Sequence, residues 1–412
     1  MSVRAIALTG VLCVWVPSAS TAQQQQSAAP SSWHVMQDAV VYGMFNHQGG
    51  ERGGDEFRAP NWWMGMFSRP VKSSQLTVHT MLSLDAASVG KKGYREIFQV
   101  GESFEGEPLV DYQHPHDLFM QLAASWRVPL GSSTGLTIAG GPAAEPALGP
   151  PAFMHRASVA DNPMAPLSHH VFDSTHIAFG VVTAAVDRGP WAIEASAFNG
   201  REPDEHRWDF DFGPLDSYSG RIWYRPASRW ELQVSSGFLK EPEELGHGDI
   251  VRTTASASWL RQDGRNLAGV TAAFGINATD GDDRQAWLLE MTHRARDLSL
   301  YTRLELVDVE TNVLVGSHDD AHQGTDRLGA ATFGGVRHLP AWRGIDSGLG
   351  AAVTFYGVPE ALRHTHGHRP VSFQAFFRLR FTRGSASPMW NMYLTKPMQP
   401  ASHDPHAGHV MP

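Results

Sequence analysis

The chain has 412 residues, of which 42% are hydrophobic and 18% charged, and its formal net charge is −9. The charged share lies below the roughly 25% of typical soluble domains. Beyond the N-terminus, no segment approaches the ~20 consecutive apolar residues of a membrane helix, which excludes a helical membrane protein. The acidic balance, without a basic face, argues against nucleic acid as a partner.

The N-terminus predicts an export signal over residues 1–22. Arg4 supplies the positive charge, Ala5 to Val16 form the apolar core, and Ser20-Thr21-Ala22 offer a small-residue cleavage site before Gln23. The only cysteine, Cys13, lies inside this segment, so the mature chain has no disulfide to stabilise it. Residues 23–33 begin with four glutamines and predict a disordered lead-in.

Sixteen segments after the lead-in show the period-2 alternation of β-strands. The clearest hairpin is Gln285–Val307, in which apolar residues alternate with polar ones such as Glu290, Arg303 and Glu305. An apolar face and a charged face fit either a soluble sandwich or a transmembrane barrel with the apolar face outward. The predicted strands are 34–46, 58–69, 74–85, 117–128, 134–141, 176–186, 191–199, 218–225, 230–239, 250–260, 266–276, 285–294, 298–309, 326–338, 346–357 and 371–382.

The connections between these strands alternate between short and long, which is typical of transmembrane barrels with short periplasmic turns and long extracellular loops. Short connections such as 70–73, 187–190 and 295–297 alternate with long ones such as 86–116 and 142–175. Aromatic residues give a second indication, because they lie at strand ends beside the short turns and would form an interfacial girdle there. These residues are Trp126, Trp191, Tyr224, Trp230 and Trp259. The alternative is that they are ordinary core tryptophans and tyrosines.

The last predicted strand places Val371, Phe373, Phe377, Leu379 and Phe381 on one face. With the strand count, this layout over residues 34–383 resembles the bacterial outer-membrane β-barrels, and by strand number the porin-like ones. The resemblance implies outer-membrane localisation, lipid and lipopolysaccharide as surroundings, and recognition of 371–381 by the barrel-insertion machinery. Proteins of this family usually end at the aromatic residue of the last strand, whereas this sequence continues past Phe381. The continuation, residues 384–412, is rich in histidine and methionine and is predicted to be a periplasmic tail.

The predicted fold is therefore all-β, a transmembrane antiparallel up-and-down barrel of about 16 strands (14–16), whose oligomeric state stays open. A barrel of this size is wide enough for an aqueous channel. Residues on the polar face of the strands are candidates to line it: Arg127, Glu194, Arg221, Arg225, Glu231, Arg252, Glu290, Arg303, Glu305, Arg378 and Arg380. Their positive excess would favour anions. Alternatively, these arginines pair with glutamates or with lipid phosphates.

Histidines, 21 in all, collect in the loops and the tail. His364, His366 and His368 would share one face of an extended chain, and His114, His116 and Asp117 form a second group. His169 and His170 follow, with Met154, His155 and Met164 nearby. The tail adds His403, His406, His409 and Met411. Imidazole with thioether suits copper, and imidazole alone suits zinc. Gln113–Asp117 and the tail resemble uncharacterised outer-membrane proteins associated with heavy-metal resistance.

The sequence thus predicts a channel for passive passage of small solutes or ions, constricted by loop 142–175 or loop 86–116 folding inward. The alternative is an outer-membrane metal-binding protein that handles copper or another heavy metal; no cofactor is required otherwise. A barrel enzyme is disfavoured, because H-E-x-x-H is absent from the sequence. His170, Asp173 and Ser174 are close in sequence, but a catalytic triad is defined by geometry.

Overall fold

A computed structural model describes residues 33–245, 248–281, 283–316, 324–383 and 393–395. The predicted signal, residues 23–32 of the lead-in and most of the tail, including His403, His406, His409 and Met411, lie outside these residues. Within the described chain, no helix is long and apolar enough to cross a membrane.

Sixteen antiparallel strands form one closed sheet, and every predicted strand is present. Each strand pairs with its neighbours in sequence, and the last pairs with the first, placing Phe377 opposite Gly43. The barrel strands are β1 (His34–Gln48), β2 (Asn61–Val71), β3 (Ser74–Leu82), β4 (Phe119–Pro129), β5 (Thr134–Ala144), β6 (Ala178–Arg188), β7 (Trp191–Phe198), β8 (Ser217–Tyr224), β9 (Trp230–Leu239), β10 (Ile250–Asp263), β11 (Asn266–Ala278), β12 (Asp283–Ala295), β13 (Leu298–Glu310), β14 (Thr325–His338), β15 (Ile345–Gly357) and β16 (Val371–Arg383).

The remaining elements are short and belong to the long connections. A further strand, Gly54–Arg58, pairs with the end of β1. Two small hairpins join Tyr94–Arg95 to Tyr112–Gln113 and Glu102–Phe104 to Glu107–Leu109. The helices are α1 (Asp85–Ser88), α2 (His169–Phe172), α3 (Thr311–Val315) and α4 (Arg363–His366), with 3₁₀ turns at Phe153–His155, Ala157–Val159, Ser174–His176 and Glu360–Leu362.

The two faces of the sheet have the polarity of a membrane barrel. On the outer face, large apolar side chains are exposed: Ile193 by 58%, Leu300 by 59% and Val234 by 57%. On the inner face, the paired residues Glu290 and Arg303 are buried. A soluble sandwich would hide its apolar face, so the closed sheet with exposed aliphatic residues excludes that alternative.

The aromatic residues beside the short turns form neighbouring pairs across adjacent strands. The rings of Trp191 and Tyr224 stack with centroids 4.3 Å apart, and Trp230 lies opposite Trp259 in the register of β9 and β10. Trp191 and Trp230 are about half exposed on the outer face. This placement is that of an interfacial girdle rather than a buried core.

Two long connections fold into the barrel instead of extending from its end. Nearly every residue from Glu145 to Ile177 is buried, and so are many residues between Ser83 and Leu118. We call these segments the Glu145–Ile177 loop and the Ser83–Leu118 loop. The sequence predicted that one or the other would fold inward; the structure places both inside. They occupy the space that the barrel wall encloses.

Candidate functional site inside the barrel

All eleven residues predicted to line a pore lie on the inner face of the wall. Arg127, Arg225 and Glu231 lie near the short-turn end and are partly exposed, and the other eight are buried. Their orientation is therefore as predicted, but most contact the infolded loops and one another. Whether they border a path for solutes stays a prediction.

Most of the inward arginines are paired with carboxylates, which was the predicted alternative to an anion-selective lumen. Arg221 contacts Glu194 at 2.6 Å and Glu145 at 3.2 Å. Arg380 contacts Asp38 at 2.6 Å, and Arg127 contacts Asp187 at 2.7 Å. Several of these carboxylates lie outside the predicted set, so the interior has little excess positive charge.

Arg156 joins the Glu145–Ile177 loop to the wall through fully buried ion pairs. Its Nε donates to Glu290 of β12 at 2.8 Å, and its Nη1 donates to Asp173 at 2.7 Å. On the other side of Glu290, Arg303 Nε donates at 2.9 Å, and Arg303 Nη1 reaches the carbonyl of Ala165 at 2.8 Å. The sequence did not predict that Arg156 and Asp173 line the interior, because loop residues have no alternation that assigns a face.

The far side of the same loop is held by Asp161, which is fully buried. Arg294 Nη2 donates to both of its carboxylate oxygens, at 2.9 and 3.0 Å, and Arg378 also contacts it. At the start of β11, the loop passes so close that a Cβ on Gly269 would lie 2.8 Å from the carbonyl carbon of Ala157. Since Gly149 of the same loop bonds Ser235 of β9, the loop crosses the barrel interior from β9 to β16.

The two infolded loops also contact each other. Tyr94 Oη accepts a hydrogen bond from the backbone N–H of Ala165 at 2.9 Å. Gln99 Nε2 donates to Gln113 within the Ser83–Leu118 loop at 2.7 Å.

Two cavities between the loops and the wall measure only about 30 and 40 Å³, room for one or two water molecules. Around these cavities, the described residues of the two loops pack against the wall.

A short piece of the tail enters the barrel as well. The Tyr393 ring packs against Trp223 with centroids 4.2 Å apart, and the Arg221 guanidinium lies 5.3 Å from the Tyr393 centroid. Thr395 contacts Glu194. Tyr393, Leu394 and Thr395 are buried. These three residues, which the sequence assigned to a periplasmic tail, therefore lie against the inner wall.

Histidines of the two loops meet in one buried cluster. The distances between neighbouring ring centroids are 6.4 Å for His114–His116, 5.7 Å for His116–His176, 5.2 Å for His176–His169 and 6.0 Å for His169–His114. The four rings thus follow one another in a closed cycle, which we call the histidine cluster. The sequence nominated His114 and His116 but not His176, which it placed at a strand edge.

Acidic groups around the histidine cluster fix the ring orientations. His116 Nδ1 is 2.7 Å from Asp85, and His169 Nδ1 is 2.8 Å from Asp173. His176 Nδ1 is 2.8 Å from the Asp173 carbonyl, and His114 Nδ1 is 3.1 Å from Glu102. Asp117, predicted with the histidines as a ligand, instead contacts Arg207 at 3.4 Å.

Burial sets the charge of these groups. Burial lowers the pKa of His114, His169 and His176, and neighbouring rings lower it further. Asp173 acts against this at His169 and His176 without reversing it, so these three imidazoles are neutral near pH 7. His170, beside the cluster, behaves differently: burial would lower its pKa, but Glu202 at 3.1 Å outweighs burial and raises it. For Asp173, burial acts to raise the pKa, but Arg156 outweighs it and the pKa is lowered.

The predicted group at 364–368 does not form a ligand set. Its first residues form helix α4 rather than an extended strand, so the three rings do not share a face. His366 is buried, stacks on Phe98 and contacts Asp111 at 3.0 Å, whereas His364 and His368 are exposed. A helical turn formed here because Pro359 and Glu360 begin a 3₁₀ turn that continues into α4.

Two further groups of side chains are candidate sites, a catalytic triad and an acidic metal-binding cluster. His170, Asp173 and Ser174 do not form a catalytic triad, because His170 Nδ1 bonds Glu202 and Ser174 Oγ accepts from Arg252 at 2.9 Å. Among the described residues, only Asp204, Asp209 and Asp211 bring three potential ligand atoms within 4.8 Å of one another. They lie in an outer loop and are largely exposed, as acidic surface clusters often are.

No protein-family model and no curated protein sequence matches this chain. Solved structures do match. OprB of Pseudomonas putida has a TM-score of 0.51 and 9% identity, over 85% of this chain and 94% of that one. Salmonella typhi OmpF in complex with daunomycin has a TM-score of 0.50 and 10% identity, over 84% and 97%. The anion-selective porin from Comamonas acidovorans has a TM-score of 0.48 and 11% identity, over 85% and 100%. At these identities the likeness shows the fold, which is that of outer-membrane porins.

Proposed function

We propose that this protein is an outer-membrane channel for small solutes or ions, and that its own infolded loops close it in the observed state. The carrying observation is the inverted polarity of a closed sixteen-strand barrel, with exposed aliphatic residues outside and ionised residues inside. Such a wall is stable in lipid and unstable in water. We place the barrel in the outer membrane after removal of the signal, with lipid and lipopolysaccharide around it and β16 as the segment recognised by the insertion machinery.

The position of the inner charges supports a path along the barrel. Ionised side chains occur near the short-turn end at Arg225, at mid-height at Glu290, and towards the long-loop end at Arg284. The ion pairs offset the cost of burying these charges under the infolded loops, and water would hydrate the same charges once those loops leave the lumen. Since most are paired, we expect only weak selectivity between anions and cations.

Planar-bilayer recording tests the channel. The expected result is little current from the intact chain and stepwise current from a variant in which residues 150–165 are replaced by a short Gly/Ser linker. Heat-modifiable migration in gels verifies that both barrels fold. If this variant folds and inserts but carries no current, residues 86–116 are replaced in the same way as well. Absence of current from that folded double replacement would contradict the proposal, because both infolded loops would then have been removed from the lumen.

A second candidate function, metal-ion handling, is supported by the histidine cluster. Four imidazoles in one buried cycle are unusual for a plug whose only task is to fill space. The two functions are compatible, since the cluster lies in the loops that close the barrel. Metal binding and ionic current are separate measurements, so either can fail alone.

A further inference from the structure

We propose that the barrel interior binds a copper ion through the Nε2 atoms of His116, His169 and His176, the site on which the metal-handling function would rest. The two infolded loops supply these ligands together: His116 comes from the Ser83–Leu118 loop, and the other two come from the Glu145–Ile177 loop. Neither loop forms the site alone.

The outer nitrogens of the three rings have the partners that metal-bound histidines have. A ligating imidazole usually donates its other ring N–H to a carboxylate or a backbone carbonyl, which fixes the ring and its tautomer. Here Asp85 and Asp173 hold Nδ1 of His116 and His169, and the Asp173 carbonyl holds that of His176. With Nδ1–H donating in each case, Nε2 has its lone pair available.

The inner nitrogens have no such partner. Nε2 of each of the three rings is buried, and no residue in the described chain offers it a hydrogen bond. A buried polar atom without a partner is destabilising, and three in one cluster point to a ligand that all three atoms share. A cation that accepts three imidazoles satisfies all three atoms at once.

The neighbouring side chains indicate which metal. His176 also lines a cavity of about 30 Å³ whose wall includes the thioethers of Met64, Met66, Met81 and Met120. These methionines pack in a buried apolar cluster, and thioether with imidazole is the donor set that copper prefers over zinc.

The rings must move together to bind. The three Nε2 atoms do not all lie within 4.8 Å of one another, whereas two imidazole nitrogens on one tetrahedral ion with bonds of about 2.0 Å lie roughly 3.3 Å apart. The ring centroid of His176 lies 5.2 Å from that of His169 and 5.7 Å from that of His116, so the loop side chains must reorient before the three nitrogens share one ion. Ion binding would therefore draw the two loops together.

The test uses the full chain, refolded in detergent and freed of metal. Cu⁺ affinity is measured by competition with a chromophoric Cu⁺ chelator, and Cu²⁺ coordination by the nitrogen hyperfine pattern in electron paramagnetic resonance. The exposed and tail histidines are removed in one background variant carrying His364→Ala, His368→Ala, His403→Ala, His406→Ala and His409→Ala. This background should bind one copper ion with several nitrogen ligands.

Within that background, His176→Ala should weaken Cu⁺ at least 100-fold, and Asp85→Asn, which touches no metal, should weaken it 10- to 100-fold. His206→Ala, an exposed residue, is the matched control, and heat-modifiable migration verifies folding. If the His176 variant folds and keeps full affinity, the ligand assignment is wrong although metal handling stands. Zn²⁺ binding as tight as Cu⁺ would overturn the choice of copper, and no copper binding by the unmodified chain would overturn the site and the metal-handling function together. Bilayer current is unaffected by either failure.

Discussion

Replacing Arg156 with methionine should undock the Glu145–Ile177 loop without unfolding the barrel. The side chain is fully buried and bridges Glu290 of the wall and Asp173 of the loop. Methionine keeps most of the volume and removes the charge. Both carboxylates would then lose a buried cationic partner, and the docked state would become less stable relative to the state with the loop in water.

The size of the effect follows from what each carboxylate retains. Removing one partner of a buried ion pair costs about 3–5 kcal/mol. In the variant, Glu290 still has Arg303 as a partner at 2.9 Å, and Asp173 still has His169 at 2.8 Å. We therefore expect a loss of docking free energy at the lower end of this range. Since 1.4 kcal/mol is a factor of ten, a loss of about 3 kcal/mol raises the undocked population about a hundredfold.

Thiol labelling measures this population. In a chain carrying Cys13→Ser, Ala160→Cys places one thiol at a buried position of the loop. A charged thiol reagent should modify it about a hundredfold faster in the Arg156→Met background than in the native background, because labelling follows the open population when closing is fast. Arg337→Met removes an exposed ion pair with Asp297 and should change the rate by less than fivefold. Equal rates in all three proteins would refute the proposed role of Arg156 in docking.

Three further changes test other parts of the interior and its rim. Gly269→Val should displace the same loop, because its Cβ would collide with loop backbone, and the thiol introduced by Ala160→Cys should then react faster. Tyr393→Ala should release residues 393–395 from Trp223, at a cost of about 3–5 kcal/mol, and expose Trp223 to acrylamide quenching. For Asp211, burial and neighbouring carboxylates raise the pKa to about 6. The pKa of Asp211 in the folded loop exceeds the unfolded value near 3.9, so its protonated carboxyl group stabilises the folded loop. This contribution is complete at low pH and is lost as the pH rises through about 6. Hydrogen exchange in loop 203–212, corrected for intrinsic pH dependence, should therefore slow from pH 7 to pH 5, and Asp211→Asn should abolish that change.

The glycine and tyrosine changes each have a matched control. Gly281→Val adds the same side chain where no atom lies within 4 Å and should leave labelling unchanged. Tyr218→Ala removes an outward, half-exposed ring and should leave quenching of Trp223 unchanged. If Gly281→Val accelerates labelling as much as Gly269→Val, the close approach at β11 is not the cause. If exchange in loop 203–212 keeps its pH response in Asp211→Asn, another group is responsible.

The interior of the barrel was predictable only in part. Alternation assigned Arg221, Glu290 and Arg378 to the inner face, because the side chains of a strand point to opposite sides in strict turn. It could not assign Arg156, Asp161 or His176, because irregular backbone has no fixed period. Spacing alone misled at 364–368, where an extended chain was assumed and a helical turn formed.

The sequence by itself determined the barrel: sixteen alternating strands, short and long connections in turn, and aromatic residues beside the short turns require only local periodicity and local chain length. Tertiary structure alone decided what fills that barrel. The infolded loops, the pairing of Arg156 with Glu290 across 134 residues, and the meeting of His116 with His176 depend on contacts between distant segments. Local patterns carry no information about such contacts, because each is fixed only when the closed wall confines the loops.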